Sequence, residues 1–208
     1  MGSHTQYVPE VEHFSLTDEF RERALFFDKN KFYTHLVKDT PAYKKFWEDE
    51  DFKCRNGITN SLGITITGVH YFYLNYVQIK LKDPETGRKK KGFPRFLDVD
   101  YDFFHLVEEA RRQKKGFIFS KPRRGGFSYK DSAIVAHEYN FFRDSTCIIG
   151  AFLDMLATQT MNMTLDNLNF LNAHTEWRKQ RNPDTKDFVK ARFESSTDGI
   201  KVWRGYNS

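Results

Sequence analysis

Cysteine is scarce: the 208 residues include only two, Cys54 and Cys147, far apart in the chain. So few thiols exclude a disulfide framework or a cysteine-rich metal site as the organising device. Cys147 falls inside an apolar run and reads as a buried thiol. This usage fits a reducing compartment, with the cytoplasm as the expected location. Long apolar runs are lacking too. The longest, about Cys147–Leu153, falls well short of the ~18 residues that suggest a membrane span, so no membrane partner is expected. No signal-peptide pattern opens the chain, Met1–His4 is set aside from fold reasoning, and no internal repeat is visible.

The length suffices for a sizeable core, as one domain or one domain with an extension. A formal charge of +5 and a pI near 9.1 fit a polyanionic partner. The most informative stretch is Phe117-Ile118-Phe119-Ser120-Lys121-Pro122-Arg123-Arg124-Gly125-Gly126-Phe127-Ser128, continuing through Tyr129 to Ala136. A short apolar run, a basic glycine turn and a helical segment follow one another, the order of a phosphate-binding loop. Gly125 and Gly126 permit close main-chain approach to a ligand, and the N–H groups of the following helix point at any anion in the turn.

The match to G-x-x-x-x-G-K-[ST] is partial. Gly126 and Ser128 agree with the last glycine and the Mg²⁺-binding hydroxyl, whereas Phe127 stands where the pattern has lysine and Lys121 where it has the first glycine. A helix N-terminus stabilises an anion by roughly 0.3–2 kcal/mol, against about 8 kcal/mol for a micromolar complex. Nearby cations must therefore contribute, and Lys121, Arg123, Arg124 and Lys130 are the candidates; arginine grips phosphate oxygens in pairs. The residues alone leave a second reading open, an ordinary strand–turn–helix with a solvated basic turn.

Around this stretch the pattern predicts helices at Thr17 to about Leu25, Phe32–Lys38, Pro41–Glu50, Tyr101–Gln113 capped by Asp100, Ser128–Phe142 and Asp154–Asn172. Strands are expected at Ile64–Thr67, at Phe117–Phe119, over Thr146–Phe152, and as a pair at Phe188–Ser195 and Ile200–Arg204. Val77–Lys82 and Lys89–Phe93 read as a hairpin about Asp83–Gly87. Its basic tip, Arg88–Lys91, reads as a solvated loop, with contact to DNA phosphates as the alternative. Arg178, Lys179 and Arg181 form a second basic segment, and His174 reads as a surface histidine. Asp49-Glu50-Asp51 reads as an exposed helix end. Asp154 stands alone after its apolar run and reads as a helix cap.

An aromatic-rich entry, a helix opening at Asp-Tyr, a strand, an arginine-containing loop with Gly-x-Ser and a helix together resemble the ATPase region of the large terminase subunit of tailed phages. The resemblance covers about Gly68 to Ser208. It implies an α/β fold: a P-loop NTPase-type, mostly parallel sheet with flanking helices, incomplete at its C-terminal side. Residues 93–208 would form the front half of the ATPase domain, and residues 1–92 a helical and hairpin extension. Arg123 stands where the family's loop carries an arginine. Lys121 or Arg124 would replace the missing lysine, and these three would grip the phosphates of ATP. Gly125, Gly126, Phe127, Ser128 and Tyr129 would cradle them, with Ser128 on Mg²⁺. Tyr101 corresponds approximately to an adenine-contacting aromatic, and Asp102 stands where the family often has glutamine. The implied partners are double-stranded DNA, a portal protein, a small terminase subunit and further copies in a ring, all in the host cytoplasm. The family's paired catalytic acids do not follow any apolar run here. The chain is accordingly expected to be a fragment that binds ATP without turning it over. A helicase-like P-loop motor, a non-enzymatic nucleic-acid-binding module using Arg88–Lys91 and Arg178–Arg181, and a phage structural protein with a degenerate loop are the alternatives.

Overall fold

The computed structural model describes residues 17–82, 86–120, 126–142, 145–151, 153–177, 180–181, 188–195 and 199–206. A 3-10 turn at Asp18–Arg21 leads into α1 (Glu22–Asn30), which stops where Lys31 turns left-handed at φ 67°. The helix expected over Phe32–Lys38 does not form. Left-handed Lys31 and Asp39, the latter at φ 65°, bracket the segment, and buried Tyr33 within it donates its hydroxyl to the Asn75 carbonyl at 2.8 Å. That anchoring directs the chain across the core instead of around a helical axis.

Helix α2 (Pro41–Asn56) has Pro in its first turn and Thr40 as cap, whose Oγ1 accepts the Tyr43 N–H at 3.2 Å. Gly57, at φ 83°, ends it; a Cβ there would lie 1.9 Å from the Ile66 carbonyl oxygen. This close approach lets β1 (Ile58–Thr59) pair with β2 (Thr65–Ile66) beside the helix end. Thr67 then caps α3 (Gly68–Tyr76), in which every residue is buried. A helix apolar on all sides belongs in the interior, and α1 and α2 both pack on it.

Glu50 corrects the sequence reading of an exposed acidic helix end. Its side chain is buried, accepting the hydroxyls of Tyr71 and Tyr76 at 2.6 Å each and an ammonium hydrogen of Lys53 at 2.7 Å. Two phenols from α3 supply what water would otherwise provide.

The expected hairpin is present: β3 (Ile79–Lys82) pairs antiparallel with β4 (Lys89–Gly92). After it come α4 (Asp98–Arg112), α5 (Phe127–Phe141) and α6 (Asp154–His174). α4 and α5 complete the packing around α3, and α6 lies on α5. The cap positions of α4 and α6 fall on Leu97 and Leu153, not on the expected Asp100 and Asp154. Asp100 lies one turn inside, buried. His174 is exposed, as expected, and its ring meets that of Phe27 edge-on, the centroids 5.0 Å apart. Strands β5 (Gln180–Arg181), β6 (Phe188–Ser195) and β7 (Gly199–Tyr206) form an antiparallel sheet that includes the expected C-terminal pair. Arg178 and Lys179 lie outside the described residues, as does Asp83 at the hairpin tip.

Among the described residues all three sheets are antiparallel. The segments expected as central parallel strands, Phe117–Phe119 and the described part of Thr146–Phe152, belong to no strand. Phe119 and Ile149 pack partly on the core while Ile118 and Ile148 are 98% and 70% exposed. Cys147 is half-buried, and burial raises its thiol to about 11.

Two interior histidines make this fold sensitive to acid. His70 lies between the rings of Phe96 and Phe104, and burial lowers it to about 3. His137 is lowered to about 4, again mainly by burial, while its Nε2–H donates to the Cys54 carbonyl at 2.6 Å. Both titrate near 6.5 once unfolded. Below that pH the unfolded chain takes up protons that the folded chain refuses. Their contribution is thus complete above about pH 6.5 and is lost as pH falls toward about 4 and then about 3. Urea unfolding at a series of pH values should show the midpoint falling below about pH 6.5, and His70→Leu should flatten that fall. An equal slope in the two proteins would contradict this account.

Candidate nucleotide site at the head of helix α5

The turn expected from the sequence to bind phosphate lies directly before α5, and its described part begins at Gly126. Lys121, Arg123, Arg124 and Gly125 lie outside the described residues. Gly126 occupies the cap position in the left-handed region at φ 71°, with open space where a Cβ would point. Its carbonyl accepts the Tyr129 N–H at 3.0 Å. This conformation strongly favours glycine and turns the chain abruptly into the helix, so that the first N–H groups face out of the helix head.

The next three residues part ways. Phe127 is buried, its ring 5.2 Å from Phe103 of α4 and 4.9 Å from Phe119. Any ligand contact from Phe127 must therefore come from its backbone. Its side chain anchors the helix head to α4 and to the apolar run that precedes the turn. Ser128 is exposed on the first turn. Tyr129 is half-buried and lines a groove of about 320 Å³ with Lys80, Lys91, Gln159 and Asn162.

One turn into α5, Lys130 is buried and its Nζ lies 2.7 Å from the Asp100 carboxylate, itself buried. The same ammonium sits 4.0 Å above the Phe127 ring, a cation–π contact. Burial pushes the Asp100 carboxyl upward, and the hydrogen bond and charge of Lys130 pull it back. The pair joins the heads of α4 and α5. Lys130 is consequently committed to Asp100, leaving Lys121, Arg123 and Arg124 as the nearby cations of the turn.

Tyr101 and Asp102 follow Asp100 directly on α4. Tyr101 is half-buried with its ring 4.0 Å from that of His105, and Asp102 is exposed. The structure therefore holds the expected base-contacting segment beside the first turn of α5 through one ion pair. Sequence reasoning missed that pair. A signal existed for half of it, since Lys130 lies three residues after Phe127 and three before Ala133, on the buried face of α5. Nothing local pointed to Asp100 as its partner.

Behind the turn, a cavity of about 560 Å³ opens among Phe103, Phe117, Phe119 and Phe127, with Arg111, Lys114 and Lys115 at its edge. Arg111 is partnered there by Glu138. Ser128 fits the role of a Mg²⁺ ligand because its hydroxyl is exposed beside the turn. Mg²⁺ in nucleotide sites takes one or two protein groups, completing its shell with phosphate oxygens and water. No group of three metal-ligating side chains occurs among the described residues, and a nucleotide-borne Mg²⁺ does not require one.

The chain matches no protein-family model, no curated protein and no solved structure. The functional reading thus rests on the residues and their geometry.

Removing one member of a buried ion pair leaves the other charge uncompensated, at a cost of about 3–5 kcal/mol. Lys130→Met should therefore lower the urea midpoint strongly, and adding Asp100→Leu should recover much of the loss. A double variant as unstable as the sum of its single variants would show that the two groups do not act as a pair.

Proposed function

We propose that this chain is the nucleotide-binding portion of a DNA-packaging motor resembling the large terminase subunit of tailed phages. The observation that carries the reading is the left-handed Gly126 opening α5, with Ser128 exposed beside it and Asp100–Lys130 tying the Tyr101 segment to the same helix head. In this reading the backbone from Gly125 to Tyr129 cradles the phosphates of ATP. Arg123, Arg124 and Lys121 supply the cations that the pattern's lysine otherwise gives. Tyr101 offers its ring to the base, and Asp102 a carboxylate. Ser128 would hold Mg²⁺ together with the nucleotide, and the ion would supply neutralisation of phosphate charge. The reading also calls for the apolar segments at Phe117–Phe119 and Thr146–Phe152 to pair as neighbouring strands of a parallel P-loop sheet, a pairing that the described residues do not make.

The part played by this chain is binding and positioning. Helix dipole and backbone orient the phosphates, and arginine forks fix them with charge-assisted hydrogen bonds of about 1.5–3 kcal/mol each. The paired acids that orient attacking water in the resembled family follow no apolar run here. Binding without turnover is the outcome this implies. In the whole motor, double-stranded DNA, a portal protein, a small terminase subunit and a ring of copies would complete the machine.

Titration with a fluorescent ATP analogue and Mg²⁺ should give saturable, weak binding without steady-state phosphate release. Arg123→Ala should weaken it about tenfold or more, the equivalent of at least ~1.4 kcal/mol, and Ser128→Ala should remove its dependence on Mg²⁺. Binding indifferent to both substitutions contradicts the site, and turnover abolished by Ser128→Ala contradicts binding without catalysis.

A further inference from the structure

The hairpin carries an arrangement of charge that folding does not favour. Its register sets Lys80 opposite Lys91 and Lys82 opposite Lys89. Side chains alternate along a strand, so these four lysines share one face of the ribbon, while Leu81 and Lys90 lie opposite each other on the other face. Directly opposed like charges destabilise an antiparallel pair. All four lysines are exposed, and among the described residues only Lys91 meets an acid, Asp166 on α6 at 3.0 Å. Arg88 and Lys90 add two more cations, against Asp83 and Glu85 in the hairpin sequence.

We propose that this lysine face is a docking surface for the phosphate backbone of duplex DNA. Cross-strand neighbours stand about 4.5–5.5 Å apart and alternate residues along one strand about 6.8 Å apart. The face is therefore a cluster of four cations, of which Lys80 and Lys91 border the groove against α6 while Lys82 and Lys89 stand at the tip end of the ribbon, and duplex DNA presents one charge per ~1.7 Å of its axis. Lysine acts as a point charge toward phosphate and carries no sequence information. Binding to a single strand relies on exposed aromatic platforms on which bases stack; the described ribbon has no aromatic residue, and Tyr129, which lines the groove beside Lys80 and Lys91, is half-buried. A net charge of +5 adds long-range attraction for a polyanion. The sequence alone favoured a solvated tip; the pairing register is the added observation. This surface names where the duplex of the motor reading touches the chain, yet it stands on the ribbon's charge and not on the nucleotide site.

Fluorescence anisotropy of a labelled mixed-sequence duplex, titrated with the full chain over a salt series without nucleotide, tests it. Lys82→Ala with Lys89→Ala should weaken binding at least about tenfold at low salt and reduce the slope of log K against log salt by about 2. The control Lys29→Ala with Lys44→Ala removes the same charge from exposed sites elsewhere and should leave the slope near wild type. The ribbon variant should melt at or above the wild-type temperature, because a repulsive pair has gone. A ribbon variant that binds like the control, or that melts lower, overturns the proposal. So does polyglutamate or a single-stranded oligonucleotide that competes as well as the duplex per unit charge. ATP-analogue binding, measured in parallel, should be unchanged in the ribbon variant. Ribbon-dependent duplex binding without any ATP-analogue binding would overturn the nucleotide reading alone.

Discussion

The buried contact between Asp100 and Lys130 is the constraint on which the candidate site depends. Taking a carboxylate and an ammonium out of water costs several kcal/mol for each, and only close geometry with further contacts repays it. Here the separation is 2.7 Å and the Phe127 face lies 4.0 Å beneath the ammonium. Two helix heads far apart in sequence are thereby fixed to one another. The Tyr101 segment is consequently held beside the first turn of α5, an arrangement suited to gripping both ends of a nucleotide.

Below that pair the floor is α3, whose aromatic side chains leave no face for water. Asn75 is satisfied from within: it accepts backbone N–H groups of Arg23 and Ala24 and donates to the Phe20 and Tyr71 carbonyls. α6 lies against α5 and also holds the ribbon, through Asp166 on Lys91 and through Asn167 accepting the Gln78 N–H at 3.0 Å. The turn that would hold ATP and the lysine face that would meet DNA therefore share one supporting helix.

Much of this was legible in the sequence, because local rules decide it. The helical pattern from Pro41 announced α2, although it ended the helix at Glu50 and not at Asn56, and the pattern after the glycine turn announced α5. The hairpin followed from turn chemistry at Asp83–Gly87, and β6 and β7 from alternation. What was not legible depended on partners distant in sequence. Glu50 reads as one of three acids at a helix end until Tyr71 and Tyr76 enclose it. Tyr33 reads as part of a helix until the Asn75 carbonyl claims its hydroxyl. Lys130 reads as one more cation of the turn until Asp100 takes it. The apolar runs at Phe117–Phe119 and Thr146–Phe152 carry a strand signal, but strands exist by pairing, and no ladder joins them among the described residues.

The central claim is that a triphosphate rests on the backbone at the head of α5. Amide hydrogen exchange of the full chain, with and without Mg-ATP, reads that backbone directly. The account predicts slowed exchange concentrated at Gly126–Lys130 and at the head of α4 around Asp100–Asp102. Exchange unchanged at those amides under saturating nucleotide, or protection confined to another part of the chain, would contradict it.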